Sequence, residues 1–189
     1  MATSDSDLLN AARQHVPEAW DTLLKRHQLP LYTYAAELLR DDDAALDVVQ
    51  ETFATAVRHI ASLRADHKFS SWLFGIAHQK CVQHWRNVRR DGKVFATTEA
   101  DTQLVDVADA DGADPRALLL QREQADELLA LVGRLAAPHR SVLLLYVLEN
   151  FSIEEIAAIT SAPVGTIKSR LHYAKRALRQ LLERTRCVT

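Results

Sequence analysis

Apolar residues recur three or four positions apart along most of this chain and hardly ever alternate, so the pattern predicts amphipathic helices and almost no strand. Residues 6–39 read as helix broken near Pro30. Leu31, Tyr34, Ala35 and Leu38 keep helical spacing beyond it, and Pro17 suits a first turn. Pro30, which has no amide hydrogen to donate, is expected to end or kink the first piece. From Asp43 to Leu63 the apolar positions Leu46, Val49, Phe53, Val57, Ile60 and Leu63 predict one continuous buried stripe, leaving Asp47, Gln50, Glu51 and Arg58 on the wet face. A third helix, 69–90, turns Phe69, Trp72, Leu73, Ile76 and Ala77 inward and lines up Gln79, Gln83, Arg86 and Arg90 on another face. Together these segments predict a helical bundle over 6–90.

Residues 91–115 lose the periodicity and carry Glu99, Asp101, Asp106, Asp109, Asp111 and Asp114 against Lys93, the pattern of an acidic, flexible linker. A second compact domain is expected over 116–186. Its first helix face is marked by Leu118, Ala125, Leu128, Val132 and Leu135, and 141–148 is apolar nearly all round, as a central buried helix would be. Ser152 and Glu155 have the spacing of a capping box at the start of a short helix, 153–159. Thr160, Ser161 and Ala162 make a tight connection, Pro163 opens the next helix, and Val164, Ile167, Leu171, Ala174, Leu178 and Leu181 repeat at three and four. A short capped helix, a tight turn and a long basic helix outline a helix-turn-helix. The predicted fold is all-α, with two small helical domains.

Composition sharpens this reading. Five glycines and five prolines in 189 residues leave the chain strongly helix-prone. No run approaches the roughly eighteen apolar residues of a membrane span, and the first residues lack the basic region of a secretory signal, so a soluble cytoplasmic protein is expected. Cys81 and Cys187 lie far apart, which indicates neither a disulfide framework nor a structural zinc site. The net charge of −2 excludes coating of nucleic acid by bulk electrostatics. Charge is instead sorted along the chain. Residues 41–51 hold five acids and no base, whereas 163–186 hold seven bases and one acid, Glu183. Separate surfaces for separate partners follow from that sorting.

The chemistry is that of recognition. On the last helix Lys168, His172, Lys175 and Arg179, flanked by Thr166, Ser169, Arg170, Tyr173 and Arg176, offer the reach and donor types a major groove requires. Gln79 and Gln83 carry amides suited to base edges, with Arg86, Arg89 and Arg90 for phosphates. Trp72 and Phe74 are aromatics that, if half-exposed, can stack on unpaired bases, although a buried tryptophan is the commoner outcome. His78, Cys81 and His84 sit three apart on one helix and fan around its circumference, so they do not converge on one ion. No phosphate loop, nucleophile elbow or HExxH motif is present in the sequence, and no enzyme, cofactor or metal is expected.

Three motifs then resemble one family in order and spacing. Asp47-Val-Val-Gln-Glu-Thr-Phe53, Phe69-Ser-Ser-Trp-Leu-Phe-Gly-Ile-Ala77 and Pro163-Val-Gly-Thr-Ile-Lys-Ser-Arg-Leu171 are similar to hallmarks of extracytoplasmic-function sigma factors. The resemblance implies a promoter-recognition subunit of RNA polymerase. Asp47, Gln50 and Glu51 would grip the clamp of the largest core subunit, and the flap of the second-largest would be a further contact. Lys68, Phe69, Ser70, Trp72, Gln79, Gln83, Arg86 and Arg90 would capture the minus-10 element, with residues 66–71 receiving a flipped base. Thr166, Lys168, Ser169, Arg170, His172, Tyr173, Lys175 and Arg176 would enter the groove of the minus-35 element. The linker would thread toward the RNA exit channel, and an anti-sigma factor is implied as a partner. Ser161, Ala162 and Tyr173 depart from residues common in the family, and Tyr173 bears on which minus-35 sequence is preferred.

Two rival readings share parts of this pattern. A stand-alone helix-turn-helix regulator would use the second domain as a dimer on a two-fold operator, but leaves the acidic 41–51 face and the Gln79/Gln83 helix without a role. A pure protein-interaction module has no use for the basic recognition helix.

Overall fold

The computed structural model describes residues 5–63, 69–90 and 125–186. Among them the chain forms helices and no strand. The first domain comprises α1 (Asp5–Arg13), α2 (Pro17–Leu39), α3 (Asp42–His59), a 3-10 turn at Ile60–Ser62 and α4 (Phe69–Arg90). The second comprises α5 (Ala125–Val132), α6 (Ala137–Val147), α7 (Ile153–Thr160) and α8 (Val164–Arg186). The expected linker, 91–115, and Leu118 lie outside the described residues.

Pro30 does not break α2. Ala19, Leu23, His27, Leu31, Tyr34, Ala35 and Leu38 form one buried face that runs past it on both sides. An interior proline costs about 3 kcal/mol, and burying large side chains at about 1.5–3 kcal/mol each outweighs that. The break comes earlier, where His15 takes a φ of 60° and Val16 is extended, which sets Pro17 in the first turn as expected.

On α3 the buried stripe is turned from the predicted one. Ala44, Ala45, Val48, Thr52, Phe53, Ala56 and the following Ile60 are buried, whereas Leu46 is 50% and Val57 43% exposed. Val49 and Leu63 are half-buried. The small residues decide the orientation, because Ala45, Val48, Thr52 and Ala56 let α3 lie close against α2 and α4. Thr52 enters the core with its hydroxyl satisfied, donating to the Val48 carbonyl at 2.6 Å. On α4 the inward set is Phe69, Leu73, Phe74, Ala77 and Cys81, with Trp72 and Ile76 half-buried. Phe74 is therefore core, not the half-exposed aromatic the sequence allowed.

In the second domain α6 is the central helix, with Ala137 and residues 140–145 buried. Arg140, just before the apolar run expected from 141, is buried along with it. Ser152 and Glu155 form the predicted capping box: the Ser152 hydroxyl accepts from the Glu155 amide at 3.2 Å, and the Glu155 carboxylate accepts from the Ser152 amide at 2.9 Å. Ser161 closes α7 in the left-handed region with a φ of 53°. Then α8 buries Ile167, Leu171, Ala174 and Leu178 against α5, α6 and α7. Val164, expected inside, is 38% exposed at the start of α8, beside exposed Pro163 and Gly165. Leu181 is half-buried.

The domains also pack on each other, α4 against α7 and α2 against α6. The α4/α7 crossing is close enough that a Cβ on Gly75 would lie 4.0 Å from the Ile159 Cα. Phe74 meets Phe151 edge to face at 5.2 Å. Arg140 reaches across to donate to the Leu38 carbonyl at 2.7 Å, in the last turn of α2, while also holding the carbonyls of Gly133 at 2.8 Å and Leu135 at 3.2 Å. The Arg40 guanidinium fills the space a Cβ on Gly133 would need.

Candidate nucleic-acid and protein interfaces

The outer face of α3 carries Asp47, Gln50 and Glu51, all exposed, beside Leu46 and Val57. Much of the acidic run already has work inside the fold. Asp41 caps α3 by accepting from the Ala44 amide at 3.0 Å, and Asp42 accepts from the Tyr32 hydroxyl at 3.1 Å. Asp42 and Asp43 occupy the first turn of α3, where the helix dipole favours anions. Glu51 pairs with Lys80 of α4 at 2.8 Å. The strip open to a partner is Leu46, Asp47, Gln50, Val57 and the still exposed Glu51, apolar groups rimmed by acids. That mixture suits a protein surface and repels DNA.

On α4 the structure exposes Gln79, Gln83, Arg86 and Arg90 on one face, opposite the buried Phe69, Leu73, Phe74, Ala77 and Cys81. Phe69 is an anchor, packed edge-on against the His27 ring at 5.4 Å and beside Trp72 at 6.0 Å. Ser70 and Trp72 are half-buried, and Lys68 lies outside the described residues. Burial lowers His27 to about 4, with help from Arg26.

The α8 residues divide into two groups. Lys168 and Arg176 are exposed, as is Arg179. Others turn back toward α6: Tyr173 packs on the His139 ring at 6.1 Å, and Lys175 lies over the Tyr146 ring at 4.9 Å. The Ser169 hydroxyl donates to the Thr166 carbonyl at 3.0 Å, and His172 lies against Tyr173 at 5.8 Å. Arg170 is half-buried, and its charge acts on both His78 and His139.

His78, Cys81 and His84 do not share a site. The Tyr34 hydroxyl shares hydrogen bonds with His78 Nδ1 at 2.8 Å and with the Ser141 hydroxyl of the second domain at 3.0 Å. Burial, and then the Arg170 charge, push His78 down to about 4. Burial pushes the Cys81 thiol up to about 12, which leaves it protonated and inert. Among the described residues no three or more His, Cys, Asp or Glu gather as metal ligands, and no helix is long and apolar enough to cross a membrane.

Comparison with known proteins gives these surfaces a common frame. The Sigma-70 region 2 family model matches residues 23–91, and that of Sigma-70 region 4 matches 125–181. The chain belongs to the extracytoplasmic-function sigma-70 family. This sigma factor is 29% identical over 168 residues to the ECF RNA polymerase sigma factor SigW of Bacillus subtilis, covering 87% of this chain and 89% of that one. It is 28% identical over 181 residues to the RNA polymerase sigma-H factor of Pseudomonas aeruginosa, covering 95% and 94%. Among solved structures it is similar to CnrH in complex with the cytosolic domain of CnrY, at a TM-score of 0.66, 23% identity and coverage of 95% and 97%, a likeness of fold. It is also similar to the sigma factor RpoE in complex with the anti-sigma factor NepR from Bartonella quintana, at a TM-score of 0.59, 26% identity and coverage of 86% and 97%. The sigma factor therefore acts in transcription initiation. Sequence reasoning missed Leu46 and Val57 as surface residues, and it missed the interdomain group Tyr34, Gly75, His78, Arg140 and Ser141. Each of these looks like ordinary core or helix surface until the partner helix is in place.

Proposed function

We propose that this sigma factor docks on core polymerase through the α3 face of Leu46, Asp47, Gln50, Glu51 and Val57, and reads promoter DNA with α4 and α8. The supporting observation is that both helices bury one face and hold a polar, donor-rich face to solvent: Gln79, Gln83, Arg86 and Arg90 on α4, Lys168 and Arg176 on α8. Gln79 and Gln83 read base edges of the minus-10 element. Arg86 and Arg90 hold its phosphates, and Lys68, Phe69, Ser70 and Trp72 shape the site for a flipped base. On the minus-35 element Thr166, Lys168, Ser169, Arg170, His172 and Arg176 lie along the groove. Tyr173 and Lys175 support the helix from behind in this reading.

The domain limits follow as 6–90 and 116–186, with 91–115 between them, and neither domain is catalytic. The protein works in the cytoplasm, where polymerase is, and an anti-sigma factor is its natural inhibitor. Two weak DNA contacts joined on one chain gain from each other once polymerase sets their spacing.

Run-off transcription with core polymerase over a promoter library tests this. Start sites that depend on the protein, shift in preference with Gln83→Ala and weaken with Lys168→Ala are the expected result. DNA binding without polymerase, and no new transcripts with it, would favour a stand-alone regulator.

A further inference from the structure

We infer that His27 is a base-reading residue of the minus-10 site, whose imidazole Nε2 completes its hydrogen bonding only on the edge of the base that leaves the stack. The inference rests on the proposed reading of α4 and adds to it a residue from α2. Buried polar atoms are nearly always hydrogen-bonded, so each one that is not calls for an account. Among the described residues four side-chain atoms are buried without a partner: His27 Nε2, Thr55 Oγ1, Arg140 Nε and His172 Nε2. Arg140 bonds three carbonyls through its other nitrogens, and Thr55 and His172 are only half-buried residues. His27, 8% exposed, has neither outlet.

The surroundings of that atom point to its ligand. His27 packs its ring edge-on against Phe69 at 5.4 Å, and Phe69 stands beside Trp72 at 6.0 Å. These rings form the head of α4, the part that the proposed reading gives to a flipped base, and Gln79 and Gln83 follow further along the same helix. Aromatic rings favour a stacked base of any kind. A ring nitrogen among them adds a directional contact, which distinguishes one base edge from another. Lys25 and Arg26, the two residues before His27, are exposed cations, and they favour a ligand carried on a phosphate backbone. Burial, and then the Arg26 charge, lower His27 to about 4, so near neutral pH it offers one N–H and one lone pair rather than a charge. A neutral ring reads a base edge, whereas a charged one would hold phosphate at any sequence. An apolar side chain of similar bulk would suit the core better, because it leaves no polar atom unpaired. The fold tolerates a destabilising atom here because bound promoter DNA satisfies it, a common trade at functional sites.

Transcription by the full-length protein with core polymerase, on a library randomised over the minus-10 element, tests this alongside thermal denaturation. His27→Phe removes both ring nitrogens and keeps an aromatic ring. It should raise the Tm, lower the preference at one minus-10 position by about five- to tenfold, and leave minus-35 preference unchanged. His27→Leu removes the same atoms through a different shape and should do likewise, so either variant serves where the other does not fold. At the affected position, a base analogue without the hydrogen-bonding group should cost the wild-type protein the same factor and cost His27→Phe nothing further. A folded His27→Phe protein with wild-type preference at every minus-10 position overturns the role. So does a uniform loss over all promoters, or unfolding of both variants, since either marks a residue needed only for the fold. Gln83→Ala separates this role from the broader reading. If it shifts minus-10 preference while His27→Phe does not, the role of His27 alone falls; if neither shifts it, the minus-10 reading of α4 falls and takes His27 with it.

Discussion

Single residues here often serve a local backbone need that the sequence announces and a tertiary need that it does not. Ser161 illustrates the first. Its φ of 53° places an L-residue where the left-handed conformation costs about 1–2 kcal/mol, and glycine adopts that region freely at some loss in unfolded-state entropy. Ser161→Gly should therefore raise the second domain's stability by up to about 1 kcal/mol, read as a higher Tm by thermal denaturation, and a lower Tm would show that the Ser161 side chain contributes more than its strain. His78 illustrates the second. Its ordinary value of 6.5 is pushed to about 4 by burial where the domains pack and then by the Arg170 charge on α8, while Tyr34 of α2 and Ser141 of α6 face its Nδ1. The packed domains thus disfavour a proton on His78 that a solvated imidazole accepts. Well above pH 6.5 His78 is neutral whether or not the domains are packed, and its burial carries no penalty. As pH falls from 6.5 toward 4 the proton disfavours the packing that buries His78, by about 2 kcal/mol at pH 5 and about 3 kcal/mol at pH 4. The radius of gyration should rise over that window, and His78→Gln, which keeps an acceptor for Tyr34 but does not titrate there, should flatten the rise. His27, also lowered to about 4 by burial, remains in that variant and is read through unfolding of the first domain.

At the scale of the helix, periodicity revealed that elements exist but not always which way they face. The α3 stripe was legible as amphipathic, yet its rotation was decided by Ala45, Val48, Thr52 and Ala56, whose small size permits close approach. A pattern that counts large apolar residues gives those four little weight and Leu46 and Val57 too much. Because Leu46 and Val57 are exposed, Leu46→Ser and Val57→Ser should leave the fold within about 0.5 kcal/mol. Each should nevertheless weaken core-polymerase binding by about 1 kcal/mol, or roughly fivefold, in an equilibrium titration. Unchanged affinity in both variants would confine docking to the polar residues. The recognition helix yields a related contrast. Lys168 is exposed, while Lys175 is held over the Tyr146 ring. Lys168→Ala should cut the salt dependence of promoter binding by about one phosphate's worth, and Lys175→Ala by less, when affinity is measured across a salt series.

At the scale of the whole molecule, the arrangement of domains carries its own salt signature. The contact between them is made of Phe74, Phe151, Gly75, Ile159 and neutral hydrogen bonds, with Arg140 on a backbone carbonyl. Compaction should accordingly persist at high salt, where exposed charge pairs are screened, even as promoter binding falls away. A chain that opens with added salt in scattering would show that charge holds it closed. The helices, the capping box, the helix-turn-helix outline, the sorting of charge and the family itself were all determined by the sequence alone, because each depends on residues within a turn or two of one another or on motifs read in order. The tertiary structure alone decided that α2 runs through Pro30, which face of α3 is buried, and that Tyr34, His78, Ser141 and Arg140 meet across a domain boundary. Those outcomes depend on which surfaces lie close in space. Ser141 and Tyr34 are 107 residues apart, and no local spacing encodes a contact over that distance.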